Sequence, residues 1–140
     1  MMQLFRFGFG ALAVLAMVLA ALPASALDAC FAQSVGPWSG PVWNGGGLQH
    51  MDTTFRLGSD GTLVGTYHVY DTLPFDGSLT DFHQTGRCEA DLTWYDRYGT
   101  GTVHIQFEPN VGRFLGLWGD KTPFPGLLFN GYRRAPSLTS

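Results

Sequence analysis

The sequence predicts an all-β protein, and its simplest arrangement is an eight-stranded antiparallel up-and-down barrel. After the first segment, apolar and polar residues alternate in short runs that end at turn residues about every ten positions, a pattern typical of sandwiches and barrels. Nothing between the runs is long enough for a crossover helix, so neighbouring strands are expected to pair antiparallel. Closing the sheet removes its two exposed edges, which favours the barrel over the alternative, a β-sandwich.

Residues 1–26 are predicted to be a secretory signal peptide. Arg6 is their only charge, and the continuously apolar run at 10–22 is too short to span a bilayer comfortably. Residues 24–26 have the small-x-small sequence Ala-Ser-Ala, which is typical of a signal-peptidase site. We therefore expect cleavage after residue 26 and a periplasmic or secreted protein.

Two other ways of processing this segment stay open. The apolar run could remain as an uncleaved membrane anchor instead of being removed. Alternatively, residues 27–29, Leu-Asp-Ala, resemble the lipobox that precedes a lipid-modified cysteine, here Cys30. Asp28 fits that pattern poorly, because its position normally holds a small uncharged residue.

The two cysteines define the domain plan. Cys30 and Cys88 both follow the predicted cleavage site, and an even number in an exported protein predicts one disulfide. This bond would tie an N-terminal arm, residues 27–36, to the start of a strand. The barrel domain is then expected at 37–134, with a C-terminal tail at 135–140.

The predicted strands follow one another without a convincing helix pattern. In the first hairpin, the turn at 58–61 contains Asp-Gly, and pairing Leu57 with Leu63 brings both apolar sets to one face. That register also sets Asp52 opposite His68 on the other face. The eight runs lie at 37–45, 50–57, 63–70, 77–85, 90–95, 102–107, 113–119 and 126–134.

A second hairpin around 97–100 has an equally clean alternation, with one apolar and one polar face. The residues predicted to point inward are large for a short barrel, so we expect a mostly filled interior with any pocket at an open end. They include Met51, Phe55, Tyr67, Leu92, Trp94, Ile105, Phe107, Phe114 and Trp118.

Three short motifs resemble the calycin-like barrels, the lipocalin and avidin group. Gly-Pro-Trp at 36–38 looks like the Gly-x-Trp that opens a lipocalin barrel. Asn-Gly-Tyr-Arg-Arg at 130–134 is similar to the segment that closes it. Gly-Thr-Tyr at 65–67 resembles an avidin strand.

The resemblance implies an antiparallel barrel in which Trp38 lies beneath Arg133 or Arg134. Trp38 and Arg133 are therefore expected to be structural, with a cation–π contact of roughly 1 kcal/mol. The set of residues by which avidin contacts biotin has no counterpart here. The resemblance consequently implies a fold and not a ligand.

No catalytic residue, metal site or cofactor is predicted. The histidines lie on outer faces without the tight spacing of metal ligands, and no Gly-x-Ser-x-Gly turn is present. Asp91 and Glu108 also point outward, where carboxylates are solvated. A formal net charge of −3 and a pI near 5.7 argue against nucleic-acid binding. The histidines are His50, His68, His83 and His104.

Four aromatic residues are not required by the strand pattern: Trp43, Phe75, Tyr98 and Phe124. Placed in loops, they could form a binding surface at one rim or plug the barrel ends. We expect a non-enzymatic exported barrel that uses them to bind a small apolar or aromatic-stacking ligand, or a protein partner, with no membrane span after processing. The alternatives are a periplasmic inhibitor of a hydrolase and a small hydrolase.

Overall fold

The computed structural model describes residues 27–120 and 126–134, so the predicted signal peptide and C-terminal tail lie outside the described residues. It contains a closed eight-stranded antiparallel barrel, one extra short strand and one short helix, which confirms the predicted fold class over the sandwich. The elements are α1 (Ala29–Gln33), β1 (Gly36–Asn44), β2 (Gly47–Leu57), β3 (Leu63–Tyr70), β4 (Phe75–Gly86), β5 (Glu89–Asp96), β6 (Gly99–Phe107), β7 (Arg113–Gly119), β8 (Leu127–Leu128) and β9 (Gly131–Arg133).

Each strand from β1 to β7 pairs with the next along the chain, and β9 lies between β7 and β1 to close the barrel. The predicted register of the first hairpin is confirmed, because Leu57 pairs with Leu63 and Asp52 lies opposite His68. Local alternation was sufficient for this prediction, since a slip of one residue would turn the apolar side chains outward. Within the described residues, no helix is long and apolar enough to cross a bilayer.

The last predicted strand, 126–134, is not continuous. The chain leaves regular pairing at Phe129 and Asn130, between β8 and β9. Here the Asn130 side chain accepts a hydrogen bond from the Gly116 N–H at 3.1 Å, so a side chain replaces the backbone partner that a regular ladder would use. A Cβ on Gly40 would lie 2.3 Å from the Asn130 carbonyl oxygen, which shows how closely β1 approaches this segment.

The helix α1 is a second difference from the sequence prediction. It has five residues and no side-chain N-cap, so local propensity does not account for it. Phe31 is fully buried against the barrel. The carbonyls at its C-terminal end accept hydrogen bonds from two strands. Trp38 Nε1, on the strand that follows directly, donates to Ser34 O at 2.8 Å, and Arg133, on the distant strand β9, donates to Gln33 O. Tertiary contacts therefore hold this turn of helix in place.

The end of the barrel beneath α1, here termed the closed end, is filled by aromatic rings. The Trp38 ring lies 5.4 to 6.4 Å from the rings of Phe55, Phe107 and Phe114. Arg133 Cζ lies 4.3 Å from the Trp38 ring centroid, which is the contact that the calycin resemblance implied. All the side chains predicted to point inward are buried, except for Trp118, which is partly buried against the core.

The two cysteines lie at this same end, at disulfide distance, with Cα atoms 5.8 Å apart. Cys88 immediately precedes β5, so the bond joins the N-terminal arm to the start of a strand, in agreement with the expected pairing. Closure of a loop with a sequence separation of 58 is worth about 4 kcal/mol in the chain-entropy account.

Candidate ligand-binding cavity

The opposite end of the barrel, here termed the open end, contains a cavity of about 370 Å³. This volume falls within the range of small-molecule sites, roughly 300–1,000 Å³. Seven aromatic residues border it: Trp43, Tyr67, Phe75, Trp94, Tyr98, Trp118 and Phe129. The other lining residues are Val42, Asn44, Gly45, Val69 and Asp96.

The structure brings three of the four aromatic residues singled out in the sequence, Trp43, Phe75 and Tyr98, to this one cavity. Phe124 lies outside the described residues. The expectation that these aromatics occupy loops is wrong for two of them. Trp43 belongs to β1, which coincides with the predicted run at 37–45. Phe75 is the first residue of β4, which begins two residues before the predicted run at 77–85. Only Tyr98 lies in a turn.

A tyrosine and an aspartate form the polar part of the cavity wall. Tyr67 on β3 pairs with Gly77 on β4, which in turn pairs with Asp96 on β5. A Cβ on Gly77 would lie 2.0 Å from Tyr67 Cζ, so the missing side chain is what lets the phenol ring cross β4. Tyr67 Oη then donates a hydrogen bond to Asp96 Oδ2 at 2.7 Å.

This hydroxyl remains a donor at ordinary pH. Burial of the ring raises the pKa of Tyr67, and the hydrogen bond to Asp96 and the negative charge of that carboxylate raise the pKa further. Asp96 Oδ1 accepts a second hydrogen bond, from the backbone N–H of Tyr98 at 2.8 Å. The carboxylate is thus oriented by two neutral donors.

Asp96 was missed in the sequence, although a signal for it was present. Leu92 and Trp94 were predicted to point inward, and the same two-residue period carries Asp96 to the inner face. A carboxylate at the end of an apolar strand face costs free energy unless it has a partner. Its position therefore indicated a site.

The indole N–H groups in the wall are already bonded within the protein. Trp94 Nε1 donates to Gly119 O at 2.9 Å, and Trp118 Nε1 donates to Trp43 O at 3.0 Å. The two indole rings meet edge to face with centroids 5.4 Å apart. These tryptophans were expected to point inward, and both line the cavity, which lies between them and the rim.

The mouth of the cavity is held by an aromatic pair and an arginine. Phe75 and Tyr98 meet edge to face at 5.0 Å, and Arg97 Cζ lies 5.2 Å from the first ring centroid and 4.9 Å from the second. The Arg97 guanidinium donates to Leu73 O at 2.7 Å and to Tyr98 Oη at 2.8 Å. These contacts keep Tyr98 at the rim although most of its surface is exposed.

Three histidines have carboxylate partners on the outer face of the barrel, and none of them borders the cavity. Although Asp52 lies opposite His68 in register, its side chain bonds elsewhere, accepting from Ser39 and Tyr70. Partial burial raises the pKa of Asp52, but these hydrogen bonds and the charges of Arg134 and His50 outweigh it and lower the pKa overall. The histidine pairs are His50–Asp52, His68–Asp76 and His104–Asp91.

Asp91 and Glu108, the two carboxylates that were predicted to point outward, have different partners. Asp91 bonds to His104 Nδ1 at 2.7 Å, whereas Glu108 forms an ion pair with Arg113. Each carboxylate is therefore part of a separate surface interaction.

One group of potential metal ligands is found among the described residues: Asp28, Cys30 and Cys88. Both sulfur atoms belong to the disulfide and are not thiolates. Asp28 Oδ2 accepts hydrogen bonds from Gln84 at 2.7 Å and from the Cys88 N–H at 3.2 Å. These contacts give Asp28 a structural role beside the disulfide.

No protein-family model matches this chain, and neither the curated proteins nor the solved structures contain a significant match to it.

Proposed function

We propose that this protein is an exported, non-enzymatic, calycin-like barrel that binds one small apolar or aromatic ligand at its open end. The observation that carries the proposal is the cavity of about 370 Å³ with seven aromatic residues in its wall. A site of this kind gains affinity by removing apolar ligand surface from water.

The shape of the barrel supports a single entrance. The closed end is covered by α1 and packed with rings, so a ligand reaches the interior from the open end. Tyr98 is 63% exposed at that entrance. A ligand that enters the barrel can therefore contact the Tyr98 ring first, before the cavity encloses the ligand.

The proposed compartment and family rest on two further observations. The Cys30–Cys88 pair suits an oxidising environment, such as the periplasm or the cell exterior. The stacking of Arg133 on Trp38 within an up-and-down barrel supports calycin-like architecture. The predicted signal peptide agrees with export.

The test is a titration of the oxidised protein, residues 27–140, with N-phenyl-1-naphthylamine, a neutral probe whose fluorescence rises in apolar surroundings. We expect saturable binding of one probe per chain. Tyr98→Ala should weaken it about three- to tenfold, because one aromatic contact is worth about 0.5–1.5 kcal/mol.

Tyr95→Ala is the matched control, because Tyr95 has the same 63% exposure and does not border the cavity. It should leave the probe affinity unchanged. Absence of saturable binding would refute the proposal, and so would equal losses in the two variants.

A further inference from the structure

We infer that the ligand is an organic cation, a compound with a protonated amine on an aromatic or apolar body, and that its ammonium group binds Asp96. The inference rests on the proposed function, because it specifies the chemistry of a ligand for the same cavity. Three properties of the wall support it: its charge, its hydrogen-bonding groups and its aromatic surface.

The first property is charge. Asp96 is the one charged side chain among the described residues that line the cavity. Its two bonded partners, the Tyr67 hydroxyl and the Tyr98 N–H, are both neutral. Among the described residues it forms no ion pair with Lys, Arg or His. A partly buried carboxylate in apolar surroundings is stabilised most strongly by a cation.

The second property is the direction of the hydrogen bonds. The Trp94 and Trp118 indoles donate to backbone carbonyls, and the Tyr67 hydroxyl donates to Asp96. These wall donors are therefore in use, whereas the carboxylate oxygens and the Tyr67 oxygen retain lone pairs. A ligand group that only donates, such as an ammonium, is complementary to these acceptors, whereas a carboxylate or phosphate would find these three donors already bonded.

The third property is the aromatic surface. Ring faces attract cations through their quadrupoles, and several such rings around a carboxylate form the type of site that holds amines and quaternary ammonium groups. Here Tyr67, Trp94, Trp118 and Tyr98 surround the same cavity as Asp96. The rings accommodate the apolar body of the ligand as well as its charge.

Arg97 provides the competing possibility, an anionic ligand. Its guanidinium does not line the cavity. It is instead bonded to the Leu73 carbonyl and lies against the Phe75 and Tyr98 rings. Because the Arg97 side chain is exposed to solvent and lies outside the cavity wall, its positive charge favours an anion in the cavity less than the carboxylate of Asp96, which lines the cavity, favours a cation.

The experiment uses three probes that share one ring system and differ in charge. Tryptamine is cationic at pH 7, 3-methylindole is neutral and indole-3-propionate is anionic. Isothermal titration of the oxidised protein should show tryptamine binding at least about fivefold more tightly than 3-methylindole, with indole-3-propionate weakest. A charge-assisted hydrogen bond between the ammonium group and the Asp96 carboxylate accounts for that difference.

Two isosteric variants assign the preference to one carboxylate. Asp96→Asn should weaken tryptamine binding about tenfold while changing 3-methylindole binding by less than about twofold. Asp76→Asn removes the same charge from the outer face, where the Asp76 side chain is 84% exposed, and should change neither affinity. If Asp96→Asn does not fold, the probe series on the unmodified protein decides.

The outcomes separate the two proposals. Binding of the naphthylamine together with equal or tighter binding of 3-methylindole or indole-3-propionate would overturn the cation inference and leave ligand binding intact. Naphthylamine binding without tryptamine binding would overturn it as well. If the naphthylamine does not bind saturably, the proposed function itself fails, and the cation inference that rests on it fails too.

Discussion

The two ends of the barrel are built from the same kinds of aromatic residue but use them differently. At the closed end, Trp38 contacts Phe55, Phe107 and Phe114, and these four side chains are almost completely buried. At the open end, a comparable set of rings encloses a cavity of about 370 Å³. Aromatic content alone therefore does not distinguish a core from a site.

The closed end is packed and the open end contains a cavity because different elements surround the aromatic rings at the two ends. The closed end receives α1, the disulfide and the Arg133 side chain, which together cover the rings and exclude water. At the open end, two of the connections are two-residue turns, at 45–46 and 97–98, which are too short to fold across the mouth. A carboxylate, Asp96, also faces the interior there.

The largest difference in stability is expected between alanine substitutions of two tryptophans, one at each end of the barrel. Trp38→Ala should lower the free energy of unfolding by about 3–5 kcal/mol, because it creates a cavity in a fully buried cluster and removes the donor to the Ser34 carbonyl. Trp43→Ala, at a residue that is 38% exposed, should cost less than about 1 kcal/mol. Urea unfolding measures both, and similar losses would contradict the comparison.

Removal of the disulfide at the closed end should lower the stability of the protein without changing ligand binding at the open end. We expect the double variant Cys30→Ser, Cys88→Ser to lose about 2–4 kcal/mol of unfolding free energy, since the unfolded chain regains the freedom of a long loop. The naphthylamine affinity of the folded variant should stay within about twofold. Two free thiols in the unfolded, unreduced protein would show that the bond is absent.

A smaller loss of stability than those of Trp38→Ala and the double cysteine variant is expected at the open end, from Gly77→Ala. The new methyl group would overlap the Tyr67 ring, so the ring must shift, at a cost of about 1–3 kcal/mol. The displaced hydroxyl would release Asp96, and the preference for tryptamine over 3-methylindole should shrink.

Gly46→Ala is the matched control, because a Cβ at Gly46 meets nothing within 4 Å. Thermal unfolding and titration of both variants test the prediction. An unchanged Tyr67–Asp96 contact in a structure of the Gly77 variant would contradict it.

Local sequence accounts for the features that depend on alternation. The Leu57–Leu63 register was predictable because a strand has a two-residue period and a short turn sets the pairing. The same period places Asp96 on the inner face. That Asp96 bonds to Tyr67 and lines a cavity depended on which residues the folded barrel brings near it. The interrupted strand at Asn130 was not predictable, because it results from a side chain that bonds to a strand 14 residues away.

The sequence by itself determined the all-β class, the antiparallel order, the inward set and the cysteine pair, because each depends on residue type and spacing along the chain. Only the tertiary structure decided that α1 forms, since Phe31 is buried against the barrel and the Gln33 carbonyl accepts from Arg133. Only the tertiary structure decided that three rim aromatics meet at one cavity. It also placed Tyr67 over Gly77 against Asp96, a contact between strands whose proximity exists only after folding.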